Sequence, residues 1–257
     1  MRKICFIYLA LILLFVLNLS SCTTDPGKTE TIPMNSYQIG DMGPAGGYIF
    51  YDCDADNDLG NADGLVSTEC GWRYLEAAPA DLRVVNDVPT INSSIAGYSD
   101  APTCYRFGYY RTKSDGENLF INGKAEYNAS NCTNESVGSG QRNTSLLVSV
   151  MGDKPFKDIS GSDTTTVYAA KLCYDLIHSV NETAFSDWFL PSKDEVILMY
   201  SNLKAKGIGD YVDDYYWSSY EGNNTTTGVW GMSFQHQSQS EYMRSAEYRV
   251  RPVRAFL

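Results

Sequence analysis

Histidine is almost absent from this chain: His178 and His236 are the only two in 257 residues. His178 falls in an apolar, helix-like stretch and His236 in a polar tract, and two histidines so placed make neither a metal triad nor a catalytic triad. No glycine-rich phosphate loop follows a strand-like segment. Basic residues are scarce, with 20 Lys and Arg against 31 Asp and Glu and a net charge of -11, which argues against nucleic acid as a partner because phosphate binding needs a basic footprint. Long apolar runs are missing too, apart from one at the N-terminus.

That run, Ile4 to Leu19, follows Arg2 and Lys3 and is shorter than the roughly 20 residues a membrane span needs. It has the shape of a secretory signal peptide, expected over residues 1–21. It closes on "LSSC", Leu19 to Cys22, which resembles the bacterial lipobox. The resemblance implies cleavage before Cys22, lipidation of Cys22 and attachment to a membrane through the lipid alone, at the outer membrane or cell surface. Ordinary signal cleavage nearby, with Cys22 an unmodified residue, is the alternative. "TTDPGKTETIPMNS", Thr23 to Ser36, is polar and lacks apolar periodicity, so residues 22–38 are expected to be a flexible tether. Residues 39–257 have no second linker and no internal repeat, which predicts one domain.

An exported chain meets an oxidising compartment, so cysteine pairing is expected. Five cysteines lie beyond Cys22, an odd number that leaves at least one over or paired between chains. Cys53 with Cys70 and Cys104 with Cys132 are the preferred pairs, although spacing cannot fix connectivity. Cys173, in "TVYAAKLCYDLIHSV", is expected to be a buried apolar thiol.

The order of elements is mixed. "GGYIFYD" (Gly46 to Asp52) predicts an early strand, and "GWRYLEAAP" (Gly71 to Pro79) a second one running into a turn. Residues 80–163 are rich in loop signals. Val167, Ala170, Tyr174 and Ile177 recur at helical spacing and predict a helix over Thr165 to Val180. Ser192 and Glu195 form a capping box ahead of the stripe Val196, Met199, Tyr200 and Leu203, with Gly207 as the stop. "YYWSSY", "GVWGMSF" and "YRVRPVRAF" predict three late strands. Trp188 to Leu190 are expected to anchor sheet to helix, Trp217 to be core, and Arg249, Arg251 and Arg254 to pair with an acidic surface. The sum is an α+β domain whose sheet closes with the C-terminal segment.

One acidic stretch invites a metal. In "DCDADNDLGNAD", Asp52, Asp54, Asp56 and Asp58 alternate and Asp63 stands at the twelfth position, as carboxylates do in an EF-hand calcium loop. The sixth position is Asn57 rather than Gly and the twelfth is Asp rather than Glu. Calcium is therefore a possible ligand, set against a solvated acidic hairpin loop.

Taken in order, "GPAGGYIFYD", "GWRYLEAAP", "DWFLPSKDEV", "YYWSSYE" and "YRVRPVRAF" resemble a bacterial family of exported domains, the one named for the C-terminal domain of the Legionella collagen-like adhesin. The resemblance covers about Ile39 to Phe256. It implies a C-type lectin-like fold of the formylglycine-generating-enzyme branch, with two helices flanking a small, mostly antiparallel sheet and a ligand-binding surface on the late strands, residues 217–248. Members include surface lipoproteins of treponemes whose genes are rewritten at adenines by diversity-generating retroelements. That branch also holds a copper-dependent oxidase built on a cysteine pair, but no Cys-x-x-x-x-Cys arrangement occurs here.

Two functions follow as expectations. The first is a non-enzymatic, adhesin-like surface protein that binds an extracellular or host protein or glycan and needs no cofactor. The second is an exported carbohydrate-active or oxidative enzyme on the same scaffold. Tyrosine, at 19 residues, favours recognition, since its ring offers contact area and a polar tip with few rotors to freeze. Adenine rewriting of an AAC codon gives Asn, Ser, Thr, Tyr, His, Arg, Gly or Asp but never Gln, Glu, Lys, Met or Trp. From Phe234 on, His236, Ser238, Ser240, Tyr242 and Arg244 pass that filter and alternate with Gln235, Gln237, Gln239, Glu241 and Met243, which do not. On an extended strand the alternation puts each set on its own face. Tyr220, Asn223, Asn224, Gly231, Ser233, Ser245 and Tyr248 pass as well, and the whole set is expected on one exposed patch anchored by Tyr220, Tyr242 and Tyr248.

Overall fold

A short aromatic strand, β1 (Tyr48–Asp52), starts the domain, and Ile49, Phe50 and Tyr51 in it are fully buried. The structure is a computed structural model that describes residues 36–55, 67–108, 132–153, 156–157, 164–165, 167–222 and 228–257. The chain divides into two units, residues 1–36 and 37–257, and all that follows concerns the second.

In chain order the described residues continue with α1 (Ser67–Cys70), β2 (Tyr74–Ala77), β3 (Arg83–Val85), β4 (Val88–Thr90) and β5 (Tyr105–Arg106). Next come α2 (Gly140–Met151), β6 (Phe156–Lys157), β7 (Thr164–Thr165), α3 (Ala169–Tyr174), β8 (His178–Val180), β9 (Thr183–Phe185) and α4 (Lys193–Asn202). The chain ends on β10 (Tyr215–Trp217), β11 (Gly228–Ser233), β12 (Ser238–Met243), β13 (Glu247–Tyr248) and β14 (Val253–Phe256). This is an α+β domain of few helices and several small antiparallel sheets, as expected.

Two three-stranded sheets carry the architecture, in the orders β1-β2-β14 and β10-β11-β12. The first has β2 at its centre, with all four residues buried, Glu76 among them. The Glu76 carboxylate accepts the N–H groups of Ala45 (3.1 Å) and Gly47 (2.7 Å) and pairs with Arg254 at 3.1 Å. Burial pushes this carboxyl up, and those donors work against the push. The "GPAGG" turn wraps so closely around the carboxylate that a Cβ on Gly47 would lie 2.0 Å from the Ala77 carbonyl oxygen. β14, the C-terminal strand, pairs with β2 on one edge and exchanges backbone hydrogen bonds with Phe189 through Val253.

α4 starts as its sequence predicts. The Ser192 hydroxyl accepts the Glu195 N–H, and the Glu195 carboxylate accepts the Ser192 N–H at 2.7 Å. Val196, Met199 and Leu203 are buried, and Gly207 closes the following 3-10 turn in the left-handed conformation at φ 72°. Trp188, Phe189, Leu190 and Trp217 are core residues, and so is Cys173, whose thiol burial pushes well up.

Three expectations need correction. The helix predicted over Thr165 to Val180 is only α3, six residues long. Tyr174 and Ile177 of its supposed apolar stripe are exposed, and the chain turns into the β8–β9 hairpin. Asn181 and Glu182, at φ 48° and 67°, supply the two left-handed residues that a tight hairpin turn needs, so turn chemistry overrides helical spacing. The loop-rich region of residues 80–163 contains a twelve-residue helix, α2. Finally, the C-terminal arginines meet buried acids as well as acids at the surface. Arg251 is 1% exposed against the buried Asp81, Arg249 reaches Asp81 and Asp214, and Arg254 reaches Glu76 and Asp187. The pairs with Asp81 and Glu76 are interior and tie the last strands to β2 and its neighbours, while the Asp214 and Asp187 side chains keep 33% and 41% exposure.

Candidate functional site: a tyrosine face on the late strands

β12 is the outer strand of its sheet and its residues alternate as the sequence pattern requires. Its register with β11 sets Ser238 opposite Ser233, Ser240 opposite Gly231 and Tyr242 opposite Val229, and β10 adds Tyr215 and Trp217 to the same face. Directly opposed residues of an antiparallel pair share a face. Ser238, Ser240 and Tyr242 therefore stand together, while Gln239, Glu241 and Met243 take the other side. On that side Gln239 donates from its amide to the Lys193 carbonyl at the start of α4, at 2.9 Å, and the Lys193 ammonium lies over the Trp230 ring at 4.5 Å.

The face with the serines carries three half-buried tyrosines locked together. Tyr215 stacks on Tyr248 at 4.9 Å, while Tyr242 meets Tyr215 edge-on at 5.4 Å and Tyr248 edge-on at 5.1 Å. Tyr248 is brought there by β13, which pairs with β5, and by its neighbour Arg249, whose N–H donates to the Tyr215 carbonyl. Beneath them Trp217 lies 4.5 Å from Tyr248 and donates its indole N–H to the Tyr105 carbonyl. Gly231 is the seat: a Cβ there would sit 2.9 Å from the Tyr216 carbonyl oxygen and 3.3 Å from the Tyr242 ring. Each aromatic pair contributes about 0.5–1.5 kcal/mol beyond the area it buries, which favours this one arrangement of the three rings.

Burial first, then the neighbouring phenols, pushes the Tyr248 hydroxyl up to about 12, with Asp214 adding to it; burial and then Tyr215 also raise Tyr242. Both hydroxyls therefore stay protonated at physiological pH and remain donors as well as acceptors. Exposed Ser238 and Ser240 share the face of the cluster, His236 is exposed in the β11–β12 turn, and Ser245 is half-buried in the turn after β12.

The remaining candidates separate from this patch. Tyr220 is 5% exposed and its phenol is pushed up to about 12 by burial, so it is a core residue and not an anchor; Tyr215, which sequence reasoning passed over, takes that place. The strand alternation of "YYW", with Tyr215 and Trp217 on one side, was the available signal. Ser233 is buried, and its hydroxyl accepts the His236 N–H across the β11–β12 turn. Gly231 is buried under Tyr242, as described. Arg244, 1% exposed, is paired with the fully buried Glu221 at 2.5 Å and stacked over Phe107 at 5.0 Å. It lies beyond β12, in a turn, where the alternation no longer holds. Asn223, Asn224 and Cys22 lie outside the described residues.

The acidic loop is described only at its start. Asp52 holds Arg73 through both carboxylate oxygens, at 2.9 and 3.0 Å, and accepts the Asp54 N–H. Asp54 is 3.6 Å from the same guanidinium. A resident guanidinium conflicts with Asp52 serving as a calcium ligand; Asp56, Asp58 and Asp63 lie outside the described residues. Nor are the expected cysteine pairs formed in this structure, in which no disulfide joins Cys53, Cys70, Cys104, Cys132 or Cys173. The Cys53 thiol instead donates to the Trp72 carbonyl at 3.3 Å, and burial, then Asp54, pushes it up to about 12, far from a reactive thiolate.

Compared with known protein families and with curated proteins, the sequence matches none.

Proposed function

We propose that this domain is the ligand-binding part of an exported surface lipoprotein, and that it engages an extracellular or host protein or glycan through the Tyr215–Tyr242–Tyr248 face. The observation that carries the reading is the interlocked tyrosine cluster itself. Three half-buried, mutually packed rings, backed by Trp217 and bordered by exposed serines, form a broad and polar-tipped surface. Rigid aromatic anchors beside small hydroxyl side chains are the composition of protein recognition surfaces. A C-type lectin-like arrangement belongs to the same proposal. It is supported by the return of the C-terminal strand β14 to β2 and by a separate late sheet that bears the tyrosine face. Lipidation at Cys22 and a surface location rest on the leader and the lipobox. Diversification rests on the codon pattern, and narrowed to Tyr215, Ser238, Ser240, Tyr242 and Tyr248 it concerns residues of the tyrosine face alone.

The test is binding of the chain to an array of extracellular-matrix proteins and glycans. Wild type should bind at least one component, and Tyr242→Ala combined with Tyr215→Ala should weaken that binding by about tenfold or more, given the ~2 kcal/mol typical of aromatic hot spots. Retained affinity in a folded double variant would remove the tyrosine face from the proposal.

A further inference from the structure

A second recess lies away from the tyrosine face. It is a cleft of about 280 Å³ between α2, the end of α3 and the extended segment Ser186–Phe189. α2 contributes Gln141, Thr144 and Ser145, whose spacing puts them on one helix face, and the tip of α3 contributes Tyr174. Trp188 and Phe189 form its buried apolar wall.

We propose that this cleft binds a single neutral saccharide ring, independently of the tyrosine face. The charge at the site selects against anions. Asp187 is the one ionisable carboxylate in the lining, and both its oxygens accept from Arg254, at 2.9 and 2.8 Å, a guanidinium that Glu76 shares. Arg254 is 6% exposed, and no lysine lines the cleft, so an anionic ligand finds no cation to meet. The polar groups that remain are of both kinds. The Gln141 amide and the Ser186 and Tyr174 hydroxyls are engaged by no other described residue, and the Asp187 oxygens keep lone pairs beyond those that hold Arg254. A set of donors and acceptors around one edge suits vicinal hydroxyls. Tyr174 is 52% exposed, an aromatic ring left open to solvent beside those groups, and a sugar has a C–H-rich face to lay on it. The volume lies just below the range for drug-sized ligands, which fits one ring and not an extended chain.

The test is saturation-transfer NMR on the full chain with neutral hexoses, N-acetylhexosamines and hexuronic acids. A neutral sugar should bind with a Kd on the order of millimolar, as a ligand of a dozen heavy atoms does. Tyr174→Ala and Gln141→Ala should each raise that Kd about tenfold, the loss of one contact worth a decade. Ser186→Tyr should abolish binding by filling the cleft without removing any packed side chain, and Tyr242→Ala should leave it unchanged. No transfer from any neutral sugar, a preference for uronic acids, or wild-type affinity in the Tyr174, Gln141 and Ser186 variants would overturn the assignment. Loss of sugar binding in Tyr242→Ala would overturn its independence from the tyrosine face.

Discussion

Arg244 and Ser240 both pass the adenine-rewriting filter, yet the structure gives them opposite roles, and substituting each in turn separates scaffold from surface. The Arg244 and Glu221 side chains are 1% and 0% exposed and their charged atoms are 2.5 Å apart. Arg244→Ser leaves the Glu221 carboxylate buried without its guanidinium and removes the cation over Phe107. Breaking a buried pair from one side costs about 3–5 kcal/mol. In a domain of this size each kcal/mol moves Tm by about 2–4 °C, so the expected fall is about 6–20 °C. Ser240 is exposed on an outer strand, and Ser240→Arg should move Tm by no more than about 2 °C, the ordinary scale of a surface change. Differential scanning fluorimetry reads both. Adding Glu221→Gln to Arg244→Ser should recover part of the loss, because the buried charge is then gone. An Arg244→Ser protein that melts within 2 °C of wild type, or a double variant no better than the single one, would show that the pair does not bear on stability and that Arg244 is free to vary.

Two further outcomes follow from buried groups. Glu195 is fully buried, and burial raises its carboxyl to about 7 against the N–H groups of Ser192, Gly138 and Gly140. The folded state then holds a proton that the unfolded chain releases near 4.5, so stability should fall as pH rises from about 4.5 to about 7, by about 3 kcal/mol at 1.36 kcal/mol per pH unit. Urea denaturation across that window should show the slope, and Glu195→Gln should flatten it; an unchanged slope in the variant would assign the pH dependence elsewhere. Cys53 and Cys173 should resist iodoacetamide at pH 8 in the native protein, since burial disfavours both thiolates, and react once it is unfolded. Mass spectrometry showing them modified as fast as Cys104 and Cys132 would contradict that.

Local signals carried far in some segments and failed in others for identifiable reasons. α4 was legible because its cap, stripe and stop all lie within its own sequence. α2 was not, because its cap comes from elsewhere: Glu195 accepts the Gly138 and Gly140 N–H groups at 2.8 and 3.4 Å across more than fifty residues. Ser139 supplies no side-chain cap, and Gly140 stands at the first helical position because a Cβ there would meet the Glu195 carboxylate at 2.4 Å. The β8–β9 hairpin was hidden by a chance helical spacing that the turn at Asn181 and Glu182 overrode. In the candidate site, alternation along β12 was readable from sequence. The burial of Tyr220, Ser233 and Arg244 was not, since it depends on Glu221, Phe107 and a hairpin turn whose positions only the fold supplies. The alternation of "YYW" puts Tyr215 on the side of Trp217, but its meeting with Tyr242 and Tyr248 comes from strand register and the β13–β5 pairing, which a linear pattern does not encode.

The closure of the first sheet by β14 has a consequence for how the chain is made. The contact between Arg254 and Glu76 spans 178 residues, and the central strand β2 lacks one neighbour until the last few residues arrive. Loops of that length are slow to close, so the sheet stays incomplete for as long as the C-terminal segment is unavailable. A chain emerging N-terminus first therefore keeps this sheet open until its final residues are made. The same arrangement couples the two ends of the domain: a stop codon or frameshift anywhere in the tyrosine-bearing strands also deletes or garbles β14, so damage to the late sheet removes an edge of the first sheet as well.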